Sequence, residues 1–127
     1  MMDALKIALK AADDKKARDI VALDITRIAS FAGYFIFCTG DSSRQIQAIA
    51  DEIEKRLKKA GIRSSHIEGY RNSEWILMDY FDLVIHIFSK EARAFYDLER
   101  LWRDGKKLDV DKLIREASKK AVGDKKS

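Results

Sequence analysis

The amino-acid sequence predicts an α/β (α+β) fold in which a mixed β-sheet of about five strands packs against helices. The chain has 127 residues, of which 46% are hydrophobic and 36% charged, and this is enough apolar material for the core of one domain. Segments typical of strands come in clusters, and segments with helical spacing stand before, between and after those clusters. Strict alternation would favour a doubly wound parallel sheet, so the clustering argues against one.

The first third of the sequence predicts one short helix and two strands. A weak apolar stripe predicts the helix over residues 3–12. Residues 20–25 form a nearly continuous apolar run with β-branched side chains, and residues 34–39 form a second run that ends at Gly40. Runs of this length and composition are typical of buried strands.

The clearest helical pattern covers residues 42–60. Ser42 and Gln45 match the capping box, in which two side chains satisfy free backbone N–H groups at a helix start. Gly61 stands where a left-handed C-terminal cap is usual. The residues that repeat at helical spacing are Ile46, Ile49, Ala50, Ile53, Leu57 and Ala60.

The second half of the sequence predicts a hairpin followed by a helix. Residues 74–80 and 82–88 are strand candidates close enough to pair as a hairpin, and a short strand is expected at residues 65–68. Ser89 can cap a helix from residue 90 to residue 102, because its hydroxyl can accept a hydrogen bond from the free backbone N–H groups of the first turn. One side of this helix would hold Phe95, Leu98, Leu101 and Trp102. We expect Tyr96, Leu98, Leu101 and Trp102 to be core residues first and interface residues second.

The net charge of +4 lies entirely at the C-terminal end. Residues 103–127 hold nine basic and five acidic side chains, whereas residues 1–102 balance at 16 of each. We therefore predict a domain over residues 1–105 and a basic tail over residues 106–127, with a weak amphipathic pattern at residues 109–121 that indicates a helix. RNA-binding domains usually have a basic folded surface, whereas this chain has a neutral body and a basic tail, so any phosphate contact of the tail is expected to be auxiliary.

Cysteine usage and the N-terminal sequence predict a cytoplasmic protein with no membrane partner. Cys38 is the only cysteine, which excludes an internal disulfide and favours a reducing compartment. No apolar run approaches the ~18 residues needed to cross a bilayer. A mitochondrial presequence would be rich in arginine and poor in acids, yet the first arginine is Arg18 and three aspartates precede it.

Several residues belong to types that can carry catalysis, but their positions predict no catalytic, cofactor or metal site. Asp79 and Asp82 flank the predicted hairpin turn and could hold Mg²⁺, but turns favour aspartate for its hydrogen bonds to the backbone. His86 lies between apolar neighbours in a strand, which favours a buried, hydrogen-bonded imidazole. Cys38 has no partner cysteine at metal-binding or redox spacing and is expected to act as a small apolar residue.

The loop at Gly40 joins a strand to a helix N-terminus, a position where backbone N–H groups can hold an anion. It lacks the residues of a Walker loop or a dinucleotide-binding motif. A capped helix start explains the loop without a ligand.

Binding is better supported than catalysis, because the hairpin strands are apolar on both faces. Alternation places Trp75, Leu77 and Asp79 on one face of the first hairpin strand. The opposite face holds Ile76, Met78 and Tyr80. A sheet covered by helices on one side can leave such a face partly open, and an open face with aromatic side chains is typical of a protein-binding surface. The pattern alone leaves open whether both faces are core.

These segments resemble, in order and spacing, the Iojap family, whose bacterial members are called ribosomal silencing factors. The resemblance covers about residues 5–103 and consists of seven parts, each short and weak when taken singly. The matching parts are Asp19–Asp24, Cys38–Gly40 with Ser42–Arg44, Ala48–Asp51, Glu68–Gly69, Trp75–Asp79, Asp82–Phe88, and Arg93 with Tyr96–Trp102.

The resemblance implies a nucleotidyltransferase-like fold without that superfamily's metal-binding carboxylates, and hence a protein that is not an enzyme. The implied partner is the fourteenth protein of the large ribosomal subunit, at the surface where the small subunit joins. Binding there would block joining and lower translation when nutrients are short. A role in large-subunit maturation and a homodimer in isolation are also implied. By position, Trp75, Asp79 and Tyr80 fall on the family's partner-facing strand, and Leu77 shares the face of Trp75.

Two features depart from the family pattern. Phe81 stands where many members have glycine, so an exposed Phe81 would widen the apolar contact. The tail after Arg103 is longer than in many members, and we expect it to be solvated or loosely helical rather than bound to ribosomal RNA.

Two alternative functions belong to other classes. One is a nucleotidyltransferase-like, phosphate-binding enzyme that uses Asp79, Asp82 and the Gly40 loop. The other is an RNA-binding module that works through the basic tail, for which binding should depend strongly on salt.

Overall fold

The computed structural model describes residues 2–29, 33–71 and 74–126, with the side chains of the last helix described as far as residue 118. The helices are α1 (Met2–Asp14), α2 (Ser43–Lys59), α3 (Lys90–Tyr96), α4 (Leu98–Leu101) and α5 (Val110–Lys126). The strands are β1 (Arg18–Asp24), β2 (Tyr34–Thr39), β3 (His66–Glu68), β4 (Trp75–Asp79), β5 (Leu83–Phe88) and β6 (Lys106–Lys107). The predicted α/β (α+β) class with a mixed sheet is confirmed.

The strands form one sheet in the order β3-β4-β5-β2-β1-β6. β2 and β5 run parallel, and the other neighbouring pairs are antiparallel. The described residues thus contain six strands rather than about five. The additional strand, β6, pairs only Lys106 and Lys107 with Asp24 and Leu23, and two residues are too short to show an apolar period.

One face of the sheet is covered by α1, α2 and α5. The predicted stripe of α2 is confirmed for Ile46, Ile49, Ala50, Ile53 and Leu57, which are buried at helical spacing. The last predicted member, Ala60, is exposed at the C-cap. The helix starts and ends as predicted, with Ser42 Oγ accepting a hydrogen bond from Gln45 N at 3.1 Å and Gly61 at φ +84°. An ion pair links α2 to α1, because Arg56 of α2 donates to Asp14 of α1 at 2.8 Å. Arg56 also donates to Glu52 of its own helix at 2.7 Å.

The first part of the predicted tail packs against this layer. Leu113 on α5 is buried with the helix-side core, and Val110 and Ile114 pack against it. Lys6 on α1 pairs with Glu116 at 3.0 Å. The tail is therefore more ordered than expected as far as residue 118, since its amphipathic face covers apolar surface of α1 and the sheet. The predicted domain boundary between residues 105 and 106 stays a prediction. The side chains of the tail's terminal lysines lie outside the described residues.

The helix predicted over residues 90–102 is instead two short helices, and this part of the prediction was wrong. Asp97 has a left-handed backbone with φ 47°, which ends α3 before α4 begins. Aspartate tolerates this conformation better than most residues, so the break leaves no signature as clear as glycine or proline. Ala92, Leu98 and Trp102 of this region cover part of the second sheet face.

Candidate protein-binding surface

The pairing of β4 with β5 decides which side chains of the hairpin face the helices. Ile76 and Met78 point toward α2 and are fully buried. Trp75, Leu77 and Asp79 point to the opposite face and are only partly buried. The predicted alternation is confirmed, and this second face is the one that α3 and α4 cover incompletely.

Trp75 on the open face is held by two ring contacts and one hydrogen bond. Its ring stacks on that of Phe88, the residue opposite it on β5, with centroids 5.3 Å apart. The ring of Tyr96 lies against it from α3 at 4.7 Å. The indole Nε1–H donates a hydrogen bond to Nδ1 of His86 at 3.1 Å. Trp75 is therefore supported from below and from one side while part of it remains accessible.

His86 is the buried, hydrogen-bonded imidazole that the sequence predicted. Its side chain is 5% exposed and stacks between Phe37 at 5.0 Å and Phe88 at 5.9 Å. Burial lowers the pKa of His86 from 6.5 to about 4, because the charged imidazolium loses its hydration. His86 is thus neutral near pH 7, and its Nδ1 can accept a hydrogen bond from the indole N–H.

Two exposed aromatic residues extend the surface beyond Trp75. Phe95 is 73% exposed and Tyr96 52% exposed, and their rings meet edge to face at 5.0 Å. The sequence pattern placed Phe95 with Leu98 on one helix side and favoured a core position for Tyr96. The expectation for Tyr96 was wrong, and Phe95 does not share the partial burial of Leu98, because α3 ends at the left-handed residue Asp97 and the two segments do not continue as one helix. We call Trp75, Leu77, Phe95 and Tyr96 the Trp75 surface.

Tyr80 does not belong to this surface, although the sequence-based set of partner residues included it. Its side chain is 2% exposed and packs in the helix-side core. Tyr80 follows Asp79 directly, so alternation turns it toward α2. Its hydroxyl is buried and has no hydrogen-bond partner among the described residues, and burial raises the pKa of Tyr80 to about 12.

The hairpin turn confirms the interpretation of Asp79 as a turn residue. Its Oδ1 accepts a hydrogen bond from the backbone N–H of Phe81 at 2.9 Å. Phe81 has φ +70° and is 67% exposed at the tip of the turn. Phe81 is therefore an exposed apolar residue at the end of β4 opposite Trp75, in a backbone conformation where glycine would be less strained.

A glycine fixes the other end of β4. Gly69 has φ +81°, and a Cβ atom there would lie 2.1 Å from the carbonyl oxygen of Trp75. The close approach requires glycine, because any side chain would push β3 away from the start of β4. Gly69 therefore helps to hold the backbone of Trp75 in register.

The residues of the nucleotidyltransferase alternative do not converge. Asp79 lies opposite Val84 of β5, whereas Gly40 donates its N–H to the carbonyl of Phe88 at the other end of that strand. Four residues of strand separate these positions, or about 13 Å. Within residues 2–29, 33–71 and 74–126, no group of three or more His, Cys, Asp or Glu could hold a metal ion.

The Gly40 loop is explained by its own contacts. Gln45 accepts from Asp41 N and donates to the carbonyls of Lys15 and Lys16 at 3.2 and 3.0 Å. The carboxylate of Asp41, which pairs with Arg18 at 3.1 Å, would repel an anion. Nearby, Cys38 is fully buried, and burial raises the pKa of its thiol to about 12.

Comparison with known families assigns the chain to one of them. The family model described as "Ribosomal silencing factor during starvation" matches residues 1–127. The chain belongs to this family. A relative from Bacillus subtilis named "Ribosomal silencing factor RsfS" is 46% identical over 107 residues, which cover 84% of this chain and 91% of that protein.

Structural comparison agrees with the family assignment. A crystal structure of a Chromobacterium violaceum protein has a TM-score of 0.76 and 38% identity, over 78% of this chain and 82% of that one. A mouse relative named "Mitochondrial assembly of ribosomal large subunit protein 1" is 32% identical over 91 residues, 69% of this chain and 40% of that protein. In the part of the chain that the structure describes, no helix is both long and apolar enough to cross a membrane.

Proposed function

We propose that this chain binds the large ribosomal subunit through its fourteenth protein, using the Trp75 surface, and thereby prevents the small subunit from joining. The observation that carries the proposal is a partly open, aromatic sheet face in a member of the ribosomal silencing factor family. The proposed contact residues are Trp75, Leu77 and Asp79, with Phe95 and Tyr96 added. Tyr80 is buried on the helix side of the sheet and is left out of this set.

The proposed mechanism is steric. Stable protein interfaces bury roughly 800 Å² on each partner, and their affinity comes mainly from a dry centre with aromatic anchors. Trp75 suits such a centre because its ring is already packed on Phe88 and Tyr96 and loses little freedom on binding. A folded domain that occupies the joining surface excludes the small subunit, and no covalent step is required.

A role in assembly of the large subunit is proposed alongside silencing. The mouse relative carries large-subunit assembly in its name, and a factor that caps the joining surface would keep unfinished subunits out of translation. We also propose a cytoplasmic location and a homodimer when the chain is free of ribosomes. The two exposed rings of Phe95 and Tyr96 offer apolar surface that a second copy could cover.

Substitution of Trp75 tests the proposed surface. Trp75→Ala should weaken binding to purified large subunits by about 2 kcal/mol or more, as removal of a central tryptophan typically does. Phe95→Ala should also weaken binding, with a smaller effect on stability, because Phe95 is 73% exposed. Dissociation constants come from co-sedimentation with large subunits, and circular dichroism verifies the fold of each variant.

A matched control is Ile28→Ala, which removes an exposed apolar side chain near the opposite edge of the sheet. This control should bind as the wild type does. Wild-type affinity of correctly folded Trp75→Ala and Phe95→Ala would refute the proposed surface.

A further inference from the structure

The hydrogen bond between Trp75 and His86 joins an accessible residue to a buried one. Trp75 Nε1 lies 3.1 Å from His86 Nδ1, and the two rings are tilted by 33° with centroids 6.0 Å apart. Leu77, the neighbour of Trp75 on the open face, lies opposite His86 in the β4–β5 register. The imidazole therefore lies on the same sheet face as Trp75 and Leu77 and is buried beside them.

The imidazole is itself held in one orientation. It lies nearly parallel to the rings of Phe37 and Phe88, at interplanar angles of 14° and 7°, and meets Phe35 edge on at 5.5 Å. A side chain packed on three rings has little freedom to rotate. Its Nδ1 atom is consequently a fixed acceptor.

A tryptophan on an open sheet face normally has several accessible rotamers, and binding must then restrict them. The indole N–H is only a donor, and a histidine nitrogen accepts only when it carries no proton. The contact therefore requires neutral His86 protonated at Nε2. Burial keeps the pKa of His86 near 4, so this form is present at neutral pH.

We propose that His86 is a positioning residue for partner binding: its Nδ1 fixes the indole of Trp75 in the orientation that the partner recognises. This inference rests on the proposed function, because it assigns His86 a role through the Trp75 surface. His86 makes no contact with the partner in this scheme. It reduces the conformational freedom that Trp75 would otherwise lose on binding.

The hydrogen bond can be tested without ribosomes. His86→Phe keeps a ring between Phe37 and Phe88 and removes the acceptor, so the fold should be retained. Hydrogen exchange of the Trp75 indole N–H, followed by NMR, should become faster in this variant. Trp75→Phe identifies the signal, and the indole of Trp102 serves as an internal reference. Equal exchange rates in wild type and His86→Phe would overturn the inference.

A double-mutant cycle tests the role in binding. His86→Phe should weaken binding to purified large subunits by about 3- to 10-fold, the usual range for one hydrogen bond. In the Trp75→Phe background, which has no indole N–H, the same change should alter binding by less than about twofold. His86→Asn, which can present an amide oxygen near the position of Nδ1, should recover part of the lost affinity if its fold is intact.

The outcomes separate the two proposals. Weaker binding of Trp75→Ala but unchanged binding of His86→Phe would overturn the positioning role alone. An equal loss of affinity on His86→Phe in the wild-type and Trp75→Phe backgrounds would also overturn the positioning role, because the effect would then not depend on the indole N–H. Unchanged binding of Trp75→Ala would refute the proposed surface itself, and the positioning role with it.

Discussion

Phe81 combines an unfavourable backbone conformation with an exposed apolar ring. A positive φ is rare for bulky residues, and the left-handed region costs roughly 1–2 kcal/mol for a residue with a Cβ atom. The observed φ is +70°, and the ring contacts solvent over 67% of its surface. Strained residues are often found at functional sites, which fits a contribution of Phe81 to the apolar contact.

Replacement of Phe81 should separate stability from binding. Phe81→Gly should raise the free energy of unfolding by about 0.5–1 kcal/mol, because glycine adopts the turn without strain. The same variant should bind large subunits more weakly if the ring belongs to the contact. Urea unfolding and co-sedimentation measure the two effects. Phe81→Ala, which removes the ring and keeps the strain, should lose affinity without the gain in stability.

The buried imidazole makes stability depend on pH. Free histidine has a pKa near 6.5, and burial lowers that of His86 to about 4. The unfolded chain therefore binds a proton between these values that the folded chain does not bind. The free energy of unfolding should fall as pH decreases from 6.5 to 4, by roughly 3 kcal/mol from this residue, and His86 should contribute no pH dependence above 6.5.

Comparison with His86→Phe isolates this contribution from that of the carboxylates. The difference in unfolding free energy between the two proteins should change by about 2–3 kcal/mol between pH 7.5 and 4.5, with the wild type losing more. If the unfolding free energies of the two proteins changed in parallel with pH, His86 would be protonated as readily in the folded state as in the unfolded state, contrary to this prediction.

At the scale of elements, the patterns with a full period were predictable. The apolar stripe and cap of α2 and the alternation of β4 stand out in the sequence because burial imposes a helical or a two-residue period. β6 and the break at Asp97 were missed, because a two-residue strand has no period and aspartate is a weak breaker. The face of Trp75 was predictable, whereas the exposure of Phe95 depended on that break.

The C-terminal helix shows why a tail can be misjudged from charge. Its lysines suggested a solvated segment, yet Leu113 lies in the core and Glu116 pairs with Lys6. The apolar residues of α5 are few, and their burial depends on a matching surface on α1 that sequence periodicity does not reveal.

Two truncations should therefore behave differently. Removal of the residues after Lys107 exposes the surface covered by Leu113 and should lower the free energy of unfolding by about 3 kcal/mol or more. Removal of the residues after Ser118 deletes the terminal lysines and should leave both stability and large-subunit binding nearly unchanged. Thermal unfolding and co-sedimentation at two salt concentrations provide the measurements. The RNA-binding alternative would be favoured if the variant that ends at Ser118 lost large-subunit binding and if binding of the full chain fell steeply with salt.

At the scale of the whole molecule, the two sheet faces differ in how fully helices cover them. Helices α1, α2 and α5 cover one face, and residues of α3 and α4 cover only part of the other. The charge of residues 1–102 is balanced, so long-range attraction to ribosomal RNA is weak for this part of the chain. The proposed recognition therefore depends on short-range apolar contact with one protein surface rather than on attraction to RNA in general.

Subunit joining is the direct test of this account. Purified large subunits are incubated with the protein, small subunits are added, and joined ribosomes are measured by light scattering. Wild type should reduce the joined fraction in proportion to its occupancy of large subunits, and Trp75→Ala should reduce it only at the higher concentrations that restore occupancy. Normal joining by large subunits saturated with the wild-type protein would contradict the proposal that the bound factor excludes the small subunit.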